Sequence, residues 1–387
     1  MLTTKRLGIA AAILLVVTGV GYYFFVMSTE APAPAETEPT YTGDIIDSPV
    51  ATSTAVQLNP TEPETPSAPI SPISAVTTEP VIGYWINQLD GQLYYVTAEG
   101  LIRRADAAAG AETVSSSRFV DPINRIIPST RGDAVIVVSG ETATPLFKLF
   151  DLERRLWRVL PAGTVAASWN PTGPAAEVAF LQNTQSGVTE FGIYATSRGT
   201  VRGRSALSLA GVDMTWMSAD RIYFAERPSR LALSGAWSYS IKQKTLWQLL
   251  PRERGQWAQF VPGVGGFVYA AKTGNQLLEA GGAVEGRIPF ATLPTKCFLE
   301  RPVVYCAVSY GGLSLGSAPD TYLDRTSLSG DSILSFSLLS QRSYRETATH
   351  LDGESSGVVV DASHLSKRGG KIYFINRYDS RVYSLDL

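Results

Sequence analysis

Residues able to do chemistry are few in this 387-residue chain and gather in its last third. Asp361, Ser363 and His364 put a carboxylate, a hydroxyl and an imidazole within four positions, the groups that together activate a serine nucleophile. Such a triad is defined by geometry in space, and no nucleophile elbow accompanies these three. The segment reads as the end of a strand running into a loop, so no catalytic residue is assigned. His350 is the second of only two histidines. Cys297 and Cys306 are the only cysteines. A zinc site needs more ligands than this pair supplies, and the histidines lie elsewhere in sequence. No metal or cofactor is therefore expected. The cysteines flank a turn near Arg301-Pro302 on two consecutive predicted strands, where they would face each other and form a disulfide. Its short loop implies modest stabilisation.

The segment Ser309–Gly330 is an insertion of mixed character. It carries Tyr310, Asp320, Tyr322, Asp324 and Arg325. Aromatic, guanidinium and carboxylate groups suit recognition of a glycan or peptide. A loop of this length on a rigid scaffold often carries function; a structural flap over a channel is the other reading. Asp320 and Asp324 are the only carboxylate pair it offers to a polymer hydrolase or lyase. Arg227–Gly235 should project from the same face and adds Arg227 and Arg230 as ligand candidates. Arg131-Gly132-Asp133 spells an integrin-type tripeptide but falls where a tight turn is required. The glycine-rich stretches at Gly263–Gly266, Gly281-Gly282 and Gly369-Gly370 lack the strand–glycine–helix context of a phosphate loop and read as hairpin turns.

The elements that must position these groups repeat. Gln92–Thr97, Ala134–Ser139, Glu177–Gln182, Arg221–Glu226, Gly266–Ala271, Val303–Val308 and Lys371–Asn376 are similar apolar strands, at steps of 42, 43, 44, 45, 37 and 68 residues. A four-stranded unit recurring at about 40–45 residues is the signature of a β-propeller blade. In blade 2 the predicted strands are Asn124–Pro128, Ala134–Ser139, Leu146–Asp151 and Leu156–Leu160. In blade 4 they are Val212–Met217, Arg221–Glu226, Trp237–Lys242 and Thr245–Leu250. Turn formers join the first two strands of the blades, among them Asp90-Gly91 and Ala219-Asp220. Blade 7 has only three strands of its own, Val358–Ser363, Lys371–Asn376 and Arg381–Leu385. An unclosed ring would leave a bare edge, so Pro72–Thr77 is predicted to supply the fourth. Six or eight blades are the alternatives to seven.

Trp169-Asn170-Pro171-Thr172-Gly173 resembles the W-S-P-D-G signature of TolB-type, WD40-like bacterial propeller repeats, and Trp216–Asp220 is a worn copy. The chain also resembles a group of uncharacterised bacterial propellers tethered by one N-terminal helix. Lys296-Cys297 and Tyr305-Cys306-Ala307, followed by a long loop, match the strand pair of one of their blades. The resemblance covers about residues 70–387 and implies a propeller without an established activity.

Upstream of the propeller, Leu7–Met27 is a charge-free apolar run long enough to span a bilayer as a helix. Lys5 and Arg6 precede it, which places the N-terminus in the cytoplasm and the body outside. A cleaved signal peptide is the rival reading, disfavoured by the length of the run. Residues 28–70 are rich in Pro, Thr, Ser and Glu and read as an extended, disordered stalk. No Lys or Arg occurs between Arg6 and Arg103, while ten acids do; from Arg103 onward there are 31 basic and 25 acidic residues. The body is mildly basic, but no basic run is interleaved with aromatics, so no nucleic-acid partner is expected. The expectation is thus an all-β, seven-bladed propeller (71–387) behind an anchor (1–27) and a linker (28–70). It would act as a monomeric, non-catalytic binding or scaffold module at the cell envelope, with an envelope protein or glycan as partner. An envelope polysaccharide or peptide hydrolase or lyase is the alternative.

Overall fold

In a computed structural model, the strand pattern closes into seven four-stranded antiparallel sheets. The structure describes residues 73–387 except 107–109, 116–118, 120, 173–175, 185, 271–272, 311–318, 341 and 348–358. The anchor run Leu7–Met27, the linker 28–70 and His350 lie outside the described residues. Among the described residues no helix is long and apolar enough to cross a membrane.

Blade 2 (Ile123–Pro128, Ala134–Ser139, Leu146–Asp151, Leu156–Val159) follows the sequence reading to within a residue at each end. Its second strand is buried along its whole length. The reason is general to the ring: both faces of each blade are covered by neighbours, so the inner strands are apolar on both sides instead of alternating. The core accordingly divides by interface. Phe191, Trp216, Phe224 and Tyr239 fill the joint between blades 3 and 4. Phe267, Leu277, Val304 and Phe336 fill that between blades 5 and 6. Burying each such aromatic contributes about 2–3 kcal/mol.

The ring closes as the strand count requires. Ile73–Ala75 pairs antiparallel with Arg381–Asp386, with Ile73 opposite Leu385 and Ala75 opposite Tyr383. Val76 and Thr77 extend the clasp, donating backbone hydrogen bonds to Val382 O at 2.8 and 3.3 Å. Blade 7 is thereby completed by the N-terminal end of the body.

Two strand positions differ from the sequence reading. In blade 7 the first strand is Ala362–Arg368, shifted downstream from Val358–Ser363. Its register is set by the two-residue turn Gly369-Gly370, where Arg368 faces Lys371 and both glycines have positive φ (57° and 77°). Such a turn matches the twist of a hairpin, and it pulls the pairing toward itself. In blade 4 the third strand is Leu233–Ser240, beginning four residues earlier than expected, because a bulged pairing with Thr245–Arg254 carries the hairpin further from its turn. The Arg131-Gly132-Asp133 tripeptide is a turn: Gly132 donates to Ser129 O at 2.9 Å with φ 73°. A Cβ there would lie 2.7 Å from Asn87 Cα, so glycine is required.

Cys297 and Cys306 sit directly opposite each other in blade 6 and are disulfide-bonded. Both are buried among Phe267, Leu299 and Phe336. The double substitution Cys297→Ala/Cys306→Ala is expected to cost about 2–3 kcal/mol, the loop-closure value for so short a loop. Urea denaturation of the variant beside the parent chain reads this directly.

Candidate ligand cavity at the channel mouth

Strand 1 of each blade faces the central channel, and its first residues lie at the face from which the strand 2–3 loops project. A cavity of about 520 Å³ opens there. Its wall is assembled from the starts of inner strands in different blades: Asn124 and Arg125 from blade 2, Asp213 from blade 4, Trp257 and Gln259 from blade 5, His364 from blade 7. The insertion after Ser309 roofs it with Tyr322, Leu323 and Arg325. A short helix, Asp320–Leu323, carries Tyr322.

The roof is fixed by a buried ionic network. Lys296, Asp331 and Asp361 are each 0% exposed. The Lys296 ammonium donates to Asp331 Oδ2 at 2.6 Å, to Asp361 Oδ1 at 2.7 Å and to Ser329 Oγ at 2.8 Å. Burial alone would lower its pKa; Asp331, Tyr322 and Asp361 outweigh that and hold it above the usual lysine value. Arg377 donates to Asp361 Oδ2 at 2.8 Å and to the insertion's own backbone, at Tyr322 O (2.7 Å) and Ser327 O (3.2 Å). Every charge therefore has a partner, the condition under which such a buried group is tolerated. The network ties the insertion to the starts of blades 6 and 7.

The sequence candidates divide on this frame. Tyr322 and Arg325 line the cavity. Tyr322 is buried, with the Arg377 guanidinium 3.8 Å from its ring and Trp257 packed edgewise at 5.8 Å, so much of its surface is already covered. Asp320 accepts a hydrogen bond from the Arg230 backbone N–H at 2.8 Å, which confirms that the blade 4 loop and the insertion share a face. Asp320 and Asp324 do not line the cavity, and neither do Arg227, Arg230 or Tyr310. Tyr310 instead closes the base of the insertion, its N–H donating to Gly330 O at 3.0 Å.

Sequence reasoning missed Asn124, Arg125, Asp213, Gln259 and Arg377. The available signal was a polar residue at the start of otherwise apolar inner strands. His364, to which the sequence assigns no catalytic role, also lines the cavity. It sits in a bulge between Ser363 and Ser366, and its ring faces the cavity without a serine–carboxylate relay of its own. Desolvation at the cavity wall, then the nearby Arg325 and Arg377, push its pKa below the usual histidine value. Arg125 is ion-paired with Asp213 across the cavity. Among the described residues no group of three or more His, Cys, Asp or Glu side chains is arranged to hold a metal ion.

Comparison with protein-family models and with curated proteins finds no match. Solved structures do match. An oligogalacturonate lyase in complex with manganese aligns over 81% of this chain and 90% of its own, at 11% identity and a TM-score of 0.55. The oligogalacturonate lyase of Vibrio parahaemolyticus aligns over 81% and 93%, at 9% identity and a TM-score of 0.56. The tricorn protease aligns over 83% of this chain and 34% of its own, at 7% identity and a TM-score of 0.50. At these identities the likeness is one of fold, and the chain is similar to all three as a seven-bladed β-propeller.

Proposed function

We propose that this chain is a membrane-anchored, extracytoplasmic propeller of TolB-like type that recognises a ligand of the cell envelope in the mouth cavity. One observation carries the reading. The cavity is lined by arginines, aromatics and neutral hydrogen-bonding groups, and its one carboxylate among the described residues, Asp213, is already paired with Arg125. A hydrolase working through two carboxylates would need a second one within about 5–10 Å on the same concave surface. A recognition site needs convergent polar groups on a preformed concavity, which is what the inner strands supply. The anchor reading rests on Leu7–Met27 and the charges before it.

The polysaccharide hydrolase or lyase reading keeps one support, the oligogalacturonate lyases among the fold neighbours. Fold alone does not transfer chemistry.

The test uses full-length protein in lipid nanodiscs, probed against envelope glycans and peptides. Wild type is expected to retain a specific ligand, and Asn124→Trp, which fills the mouth from an exposed position, to lose it. No retained ligand, or equal retention by the variant, would overturn the proposal. Cleavage of a glycan that disappears in His364→Ala would establish the enzyme reading instead.

A further inference from the structure

Five non-glycine residues among those described have φ in the left-handed region: Arg155, Lys244, Arg325, His364 and Ser380. Three of them occupy tight hairpin turns, where such a residue is required by the turn itself. Lys244 and Ser380, for example, donate back four residues to Ser240 O and Asn376 O, each at 2.8 Å. The other two, Arg325 (φ 55°) and His364 (φ 54°), are both on the mouth cavity.

Neither position asks for a large side chain. Arg325 follows the helix Asp320–Leu323 and its cap Asp324, at the place where helices commonly end on glycine. His364 is the left-handed residue of a β-bulge, another glycine position. Bulges of this kind re-aim side chains beside functional sites. The bulge is held from outside: the Tyr84 hydroxyl of blade 1 lies 2.6 Å from His364 O and 2.8 Å from Tyr373 O. A left-handed non-glycine residue persists only where its surroundings over-determine it, and such residues cluster at ligand sites.

The charges are also informative. Arg125 is paired with Asp213, and Arg377 with Asp361. Arg325 has no carboxylate partner among the described residues; its one side-chain contact is a 3.3 Å hydrogen bond to Ser380 Oγ. Among the described residues Arg325 is thus the one guanidinium on the cavity without a carboxylate partner, which suits a singly charged anionic group. On the same wall stand Asn124, Thr215 and Gln259, neutral side chains able to hydrogen-bond hydroxyls. Such neutral polar groups beside a guanidinium favour a ligand that carries hydroxyls as well as a negative charge.

Resting on the recognition reading above, we propose that the cavity takes a carboxylate-bearing saccharide, with Arg325 and His364 receiving the carboxylate and Gln259 a hydroxyl. A planar guanidinium matches a carboxylate in two parallel hydrogen bonds. Neutral imidazole donates one more through its N–H.

Glycine at either position is the discriminating variant, because it removes the side chain while relieving the backbone. Full-length protein in nanodiscs is titrated calorimetrically with a glucuronic-acid oligosaccharide, its neutral glucose counterpart, a sulfated counterpart and an acidic peptide. Wild type is expected to bind the uronate at least about tenfold more tightly than the neutral sugar, a discrimination typical of one charged hydrogen-bonding group. Arg325→Gly and His364→Gly are expected to lose that preference while melting no lower than wild type. Uronate binding unchanged in Arg325→Gly would overturn the proposal. So would equal binding of the neutral sugar, or binding of only the sulfated sugar or the peptide; if Asn124→Trp abolished any of these, the recognition reading would survive. A melting temperature lowered in both glycine variants would show that the two side chains serve stability, and would overturn it as well.

Discussion

Replacing Lys296 by Met is expected to cost the fold about 3–5 kcal/mol, the penalty for breaking a buried ion pair from one side. The substitution keeps the length of the side chain but removes the ammonium. Asp361 would keep its pair with Arg377, while Asp331 would lose the Lys296 ammonium, both carboxylates being fully buried. Ser329 and the Ala362 N–H, which donates to Asp331 Oδ2 at 2.9 Å, carry no charge to replace the lost ammonium. The loss is a large share of the 5–15 kcal/mol that holds an ordinary domain together. Its pH dependence has a definite sign. Burial already raises the Asp331 carboxyl, and without the Lys296 ammonium it rises further above its unfolded value, so the folded state binds more protons. Stability of the variant therefore rises as pH falls through the raised value, narrowing the gap to wild type. Urea denaturation of both proteins at pH 7.5 and pH 5 measures it. A deficit below about 1 kcal/mol, the range of an exposed pair, or one that widens on acidification, would show that the network does not carry this charge.

Breaking the closing strand is expected to be comparably severe. In the triple variant Ile73→Gly/Ser74→Pro/Ala75→Gly, proline and glycine remove strand propensity and a ladder donor. Ile73 also leaves its place beside Tyr305, Leu365 and Leu385. Loss of that side chain alone costs about 2–5 kcal/mol in a packed core. The strand Arg381–Asp386 would then be a bare edge, a template for pairing between molecules. The denaturation midpoint should fall and light scattering should rise on mild heating. A variant that melts with wild type and stays monodisperse would mean that blade 7 is stable with three strands.

Much of this architecture was readable from the chain. The seven similar strands are the second strands of their blades, because apolar runs and turn residues act over a few positions. The clasp at Ile73–Ala75 followed from counting strands. The disulfide followed from two cysteines placed symmetrically about one turn, since an antiparallel hairpin puts such residues opposite each other. Errors arose where local pattern and pairing disagree. The valines near position 358 look like a strand, but Gly369-Gly370 sets the register of blade 7 and moves its first strand to Ala362–Arg368. Of the insertion's five candidates, only Tyr322 and Arg325 reach the cavity.

The sequence by itself determined the repeat, the closing strand and the covalent staple, because each depends on periodicity or on neighbours along the chain; it left six, seven or eight blades open. Only the tertiary structure decided where a ligand could sit. The cavity wall is drawn from the starts of inner strands in separate blades, and no local pattern marks them as a set. Lys296, Asp331, Asp361 and Arg377 are unremarkable until folding buries them together and forces each charge to find a partner. His364 owes its conformation to Tyr84, 280 residues away in the chain, because a closed ring makes the first blade and the last neighbours.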